Sequence, residues 1–141
     1  AFIEAMLSAH NTMRSFHTGT GNLTWNADLA NAAKKQLDTH VFAHSNQGYG
    51  ENLAYFYMSP TNNQNPRHAV QLWYDEISQY NYASPGFSSA TGHFTQVVWK
   101  GTTQVGCAWD RGYDDYTANH RFLTCEYSTP GNYGGQFASQ V

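Results

Sequence analysis

A chain of 141 residues has room for one domain with its own core, and with only 12% charged residues against 16% aromatics its polarity rests on Asn, Gln, Ser and Thr. Seven Lys and Arg against ten Asp and Glu give a net charge of −3 with no basic stripe to neutralise phosphates, which excludes nucleic acid as a partner. No apolar run reaches the roughly 18 residues that span a bilayer and no leader-like pattern heads the chain, so no transmembrane segment is expected and the form is soluble or already processed.

Phe2, Ile3, Met6, Leu7, His10 and Met13 recur at helical spacing and predict a first amphipathic helix. Leu29, Ala32, Ala33, Leu37, His40 and Val41 predict a second, opened by Asn26 as its cap. Between them, Asn22-Leu23-Thr24 is a sequon for N-glycosylation. Gly50 to Ala54 reads as a short apolar turn opened by Glu51, and Ser59 to Asn65 as a polar turn cluster. Asn65 as cap and Pro66 at the first position then start a third helix that runs to about Gln79 on a stripe of Val70, Trp73, Ile77 and Tyr80. At 100° per residue Glu76 falls on the border of that stripe and Asp75 on the far side, so Glu76 faces inward. The segment from Tyr80 to Thr91 contains Pro85-Gly86 and reads as an irregular loop exposing Tyr80, Tyr82 and Phe87.

Three alternating runs follow. Phe94 to Trp99, Thr103 to Trp109 and His120 to Tyr127 predict strands, joined by a tight Lys100-Gly101-Thr102 turn and a polar loop from Asp110 to Asn119. His93 enters the first of them. Gly131 to Val141 is Gly-rich and expected to be irregular. Helices first and strands after, with no internal repeat or linker, make a single α+β sandwich domain over residues 1–141. The two cysteines allow either one disulfide or two buried thiols. Cys107 and Cys125 share the parity of the bulky residues in two strands that face each other in a hairpin, which predicts one bridge and an oxidising, extracellular compartment.

Gly50 to Ala54, Gly92 to Lys100, Val105-Gly106-Cys107 and Cys125 to Asn132 resemble the signature segments of the superfamily of cysteine-rich secretory proteins, antigen 5 and pathogenesis-related class-one proteins. His10-Asn11, Leu23-Thr24-Trp25 and Trp73 with Glu76 fit it too, so the resemblance spans the chain. A single possible disulfide makes it most similar to the fungal secreted branch. The resemblance implies a three-layer α-β-α sandwich with a central antiparallel sheet, an extracellular location, and a cleft of two His and two Glu that map to His44, Glu51, Glu76 and His93.

Two readings stand for these four residues. Two imidazoles, His44 and His93, would hold Zn²⁺ or another divalent cation while Glu51 and Glu76 support them, with no organic cofactor required. Alternatively, the four simply hydrogen-bond one another and fix the sandwich. Of His10, His17, His40, His68 and His120, only His40 has a partner at ligand spacing, His44 four residues on where the second helix ends, and it is read as bland; His10 reads as a satisfied core histidine. The spacing of Tyr80, Tyr82 and Phe87 resembles the caveolin-binding-like loop through which fungal family members bind sterols; its alternative is packing over the sheet edge. Some relatives also carry fatty acid in a groove between helices.

The functional expectation is therefore a secreted module that binds or exports sterols or other small hydrophobic lipids, with a metal-capable cleft. Hydrolase chemistry, with Ser45 beside His44, ranks behind binding because the chain has no Gly-x-Ser-x-Gly elbow, no His-Glu-x-x-His helix and no reactive Cys motif. A defence or signalling role through a host or cell-surface protein is the further alternative. It includes release of a C-terminal peptide beginning near Gly131-Asn132-Tyr133, although Phe137-Ala138 departs from the ending seen in plant relatives.

Overall fold

The structure, a computed structural model, describes residues 1–57, 65–111 and 120–141. The polar cluster expected over Ser59 to Asn65 and the loop expected over Asp110 to Asn119 lie largely outside the described residues.

Helix α1 (Phe2–Arg14) buries Met6, Ala9, His10 and Arg14 on one side, and α2 (Ala27–Leu37) buries Leu29, Ala32, Ala33 and Gln36. Asn26 caps α2 as its sequence predicts, its Oδ1 accepting the N–H groups of Asp28 and Leu29 at 2.8 and 3.3 Å. The helix ends at Leu37, short of His40 and Val41, and His40 sits in the left-handed region with φ 58°. Helix α3 (Arg67–Asp75) follows Pro66 as its cap, with Asn65 Oδ1 accepting the Arg67 N–H at 3.0 Å. It tightens into a 3-10 turn over Glu76–Gln79.

The sheet takes the order β1-β3-β4-β2, from β1 (Thr24–Trp25), β2 (Gly50–Tyr57), β3 (Gln104–Arg111) and β4 (His120–Ser128). The β2–β4 and β3–β4 pairs are antiparallel, and the two-residue β1 adds in parallel to β3 at one edge. Gly50 to Tyr57 is thus a strand and not the expected short turn. Helix α2 packs against β3 and β4 on one face, while α1, α3 and α4 (Gly92–Val98) pack together on the other. Three layers result, and β4 from Leu123 to Tyr127 is buried without a break because both faces are covered. Gly106 marks the closest approach: a Cβ there would lie 2.2 Å from Ala30 N and 2.5 Å from Asn26 O, so only a glycine lets α2 rest on β3.

Cys107 and Cys125 sit directly opposite in the β3–β4 ladder, Cα atoms 4.1 Å apart, and form the expected disulfide. The expected strand over Phe94 to Trp99 is a correction. The segment is helical, with Phe94, Val97 and Val98 fully buried at helical spacing. Its period-2 and β-branched character is overridden because both helix ends are satisfied by side chains from elsewhere. Glu76 Oε1 accepts the Phe94 N–H at 3.0 Å, and Arg14 Nη1 donates to the carbonyls of Val97 and Trp99 at 3.0 and 2.9 Å. The C-terminal stretch ends in a short helix, α5 (Phe137–Gln140), where irregular chain was expected; Phe137 is buried edge-on to Trp99.

Candidate functional site

The two expected imidazoles are held in matched ways. His93 lies in the first turn of α4, stacked on Trp73 with ring centroids 5.9 Å apart, and its Nδ1 donates to Glu76 Oε2 at 2.7 Å. Glu76 therefore does two things with one carboxylate: it caps α4 and it orients His93. His44 lies between α2 and β2, and its Nδ1 donates to Glu51 Oε1 at 2.9 Å. Both bonds assign the proton to Nδ1 and leave Nε2 as the unengaged ring nitrogen.

Glu51 is the most heavily bonded of the four. It accepts from the Ser45 N–H at 2.9 Å and from the Ser45 hydroxyl as well as from His44. In the β2–β4 ladder it stands opposite Glu126, which is 1% exposed and faces Gly106 across the other ladder. Burial first, then the hydrogen bond to Glu51 and its negative charge, push the Glu126 carboxyl up to about 10. It is thus neutral and donates to Glu51. Burial also acts to raise Glu51, but hydrogen bonds from Glu126, from Ser45 and from His44 outweigh it and hold this carboxyl below its ordinary range.

Sequence reasoning passed over Glu126, although its position carried a signal: Cys125-Glu126-Tyr127 falls in a strand covered on both faces, where a Glu has no solvent side to turn to. It also passed over the chain of bonds behind His93. His10, a core histidine as expected, bonds the Met6 carbonyl through Nδ1 at 2.8 Å and accepts from the Tyr127 hydroxyl at 2.7 Å. Burial, above all, lowers His10 to about 4 and keeps it neutral. Asn52 Nδ2 then donates to the Tyr127 hydroxyl at 3.3 Å and to the His93 carbonyl at 3.2 Å. Arg14 is buried, and its guanidinium donates to the carbonyls of Gly21, Val97, Trp99 and Thr102.

His44, Glu51, Asn52, Phe87, His93 and Asn132 line one cleft of about 190 Å³ at the start of β2. Glu76 stands behind His93. Among the described residues no three His, Cys, Asp or Glu side chains are grouped to hold a metal ion, so the four expected residues form two His–carboxylate pairs on a shared cleft. The donor set fits a divalent cation only as two imidazole nitrogens with oriented carboxylates behind them, an open site completed by water.

The three loop aromatics do not act alike. Tyr80 packs toward the core against Phe94, ring centroids 5.6 Å apart, and so is not exposed as expected. Tyr82 meets Tyr80 edge-on and is 53% exposed, while Phe87 is 65% exposed and reaches over Gly92 to the cleft wall. The sequon residue Asn22 lies just before β1, the outer strand of the sheet on the side away from β2.

The cysteine-rich secretory protein family model matches residues 7–127. The chain is similar to protein PRY2 of Saccharomyces cerevisiae, 40% identical across 99% of this chain and 41% of that protein. It is similar also to the secreted protein PRY1 of Candida albicans, 35% identical across 100% of this chain and 32% of that protein. Pathogenesis-related protein 1A1 of Solanum lycopersicum is 38% identical across 92% of this chain and 73% of its own length. The chain thus spans well under two thirds of these fungal relatives. In fold it is similar to BmVAL-1, with a TM-score of 0.81 at 21% identity over 99% of this chain and 82% of that one. It also resembles NaASP2 with Zn²⁺, with a TM-score of 0.79 at 20% identity over 99% and 85%. Family, secreted relatives and disulfide agree on an extracellular protein. The chain is a secreted member of the cysteine-rich secretory protein family, of the branch populated by fungal proteins.

Proposed function

We propose that this protein is a lipid-binding module that takes sterols or other small hydrophobic lipids at the loop from Tyr80 to Thr91. The observation that carries this reading is Phe87, a large apolar side chain 65% exposed on the rim of the His/Glu cleft. Large apolar groups held at an open rim gain by covering themselves with an apolar partner, and one aromatic ring buried against a ligand contributes roughly 1.5 to 3 kcal/mol. Tyr82 extends the same loop surface, with Tyr80 as its packed base. The cleft itself is a second element of the proposal. His44 and His93 would hold a divalent cation through Nε2, and Glu51 and Glu76 would orient the rings.

Binding of labelled cholesterol or ergosterol to the parent and to Phe87→Ala tests the lipid reading. The expected loss is tens of fold, from the burial estimate above. Equal affinity in the two proteins would overturn it. A hydrolase built on Ser45 is less well supported: its hydroxyl donates to Glu51, a carboxylate held below its ordinary range and so a weak base, and not to an imidazole.

A further inference from the structure

We infer that Asn22 carries an N-linked glycan, attached in the secretory route and displayed at the sheet edge opposite the His/Glu cleft. Asn22-Leu23-Thr24 is the one Asn-Xaa-Ser/Thr sequence in the chain, and its middle residue is not proline. A secreted chain meets the membrane-bound transferase that reads this pattern while still extended, so the later burial of Leu23 is no obstacle. The folded state must then leave room for the sugar, and it does. Asn22 and Thr24 are exposed on either side of Leu23, which is 2% exposed.

The backbone there is pinned. Asn11 Oδ1 accepts the Leu23 N–H at 2.7 Å, Asn11 Nδ2 donates to the Leu23 carbonyl at 3.1 Å, and Arg14 Nε donates to the Gly21 carbonyl at 2.7 Å. Asn22 therefore keeps one outward orientation, at the end of an open trough along α1 that Leu7, Ser8, Asn11 and Ser15 also line. The donor is an oligosaccharide on a lipid pyrophosphate. The Asn22 Nδ2 bonds to the anomeric carbon of the first sugar, the bond from that carbon to the pyrophosphate oxygen breaks, the lipid pyrophosphate leaves with the electron pair, and Nδ2 gives up one proton.

Position gives the glycan a consequence. Asn22 precedes β1, the outer strand on one side of the sheet, while the cleft opens at the start of β2, the outer strand on the other. A sugar at Asn22 shields the short β1 edge from pairing with another chain and leaves the cleft and Phe87 uncovered. The test is peptide mapping of protein secreted by a eukaryotic host, before and after peptide N-glycosidase in heavy-oxygen water. The expected result is a hexose-bearing mass increment on the peptide containing Asn22, converted by the enzyme to a labelled Asp. The increment should vanish in Asn22→Gln and Thr24→Ala and persist in Thr24→Ser. An unmodified Asn22 in the secreted parent would overturn the inference whatever the variants do, and so would an increment that survives Asn22→Gln.

Discussion

Replacing Glu126 by Gln separates a protonated buried carboxyl from an ionised one. Glu126 is 1% exposed, paired across the β2–β4 ladder with Glu51, and its carboxyl is pushed up to about 10 by burial and by that neighbour. In the unfolded chain the same group titrates near 4.3. Folding therefore takes up a proton between those two values. The stability that Glu126 contributes is complete below the unfolded value and declines as pH rises toward the folded one, by up to about 1.4 kcal/mol per pH unit. Gln keeps the shape, offers an N–H to Glu51 in place of the O–H, and does not titrate. The variant should thus gain on the parent by about 1 to 3 kcal/mol between pH 5 and pH 7, a window above the range in which Glu51, held low, begins to lose its own contribution. Urea unfolding followed by tryptophan fluorescence at several pH values measures both proteins under the same conditions. The difference between the two curves isolates the Glu126 proton from every other titrating group. Parallel curves across this window would refute the reasoning, because they would mean that Glu126 is ionised in the folded protein.

The remaining expectations concern the frame and the cleft. Gly106→Ala forces a Cβ against the α2 backbone at Ala30 and Asn26, so a loss of about 1 to 3 kcal/mol and a lower melting temperature are expected; an unchanged transition would show that α2 is not seated where described. Substituting Cys107 and Cys125 together by Ala opens a loop of 18 residues, for which the chain-entropy estimate is about 3 kcal/mol, read as a lower denaturation midpoint; an equal midpoint for parent and variant counts against it. Calorimetric titration with Zn²⁺ should show binding that weakens in acid and is lost in a His44→Ala, His93→Ala double variant, whereas unchanged affinity there would place any metal elsewhere. Tyr127→Phe leaves His10 Nε2 without its donor and removes one of the two acceptors of Asn52 Nδ2, and should cost about 1 to 3 kcal/mol by the same urea assay; a neutral result would mean that the relay behind His93 carries no stability.

Local signals were enough for α1 and α2, for the cap at Asn26, for the β3–β4 strands and for the disulfide, because each depends on neighbours a few residues away or on strand parity alone. The inward turn of Glu76 was legible too, since helical angle decides it. The segment from Gly92 to Val98 was not: its apolar and β-branched residues suit a strand as well as a buried helix, and the choice falls to Glu76 at one end and Arg14 at the other. Those partners lie far away in sequence, and no local window contains them. The same holds for the site. The family resemblance maps the cleft to His44, Glu51, Glu76 and His93, but only the folded sheet sets Glu126 against Glu51, draws the four residues into two pairs, and separates a packed Tyr80 from an open Phe87. A carboxyl's charge depends on what surrounds it in space, and for Glu126 that surrounding is supplied by strands and a helix that meet only when the chain has folded.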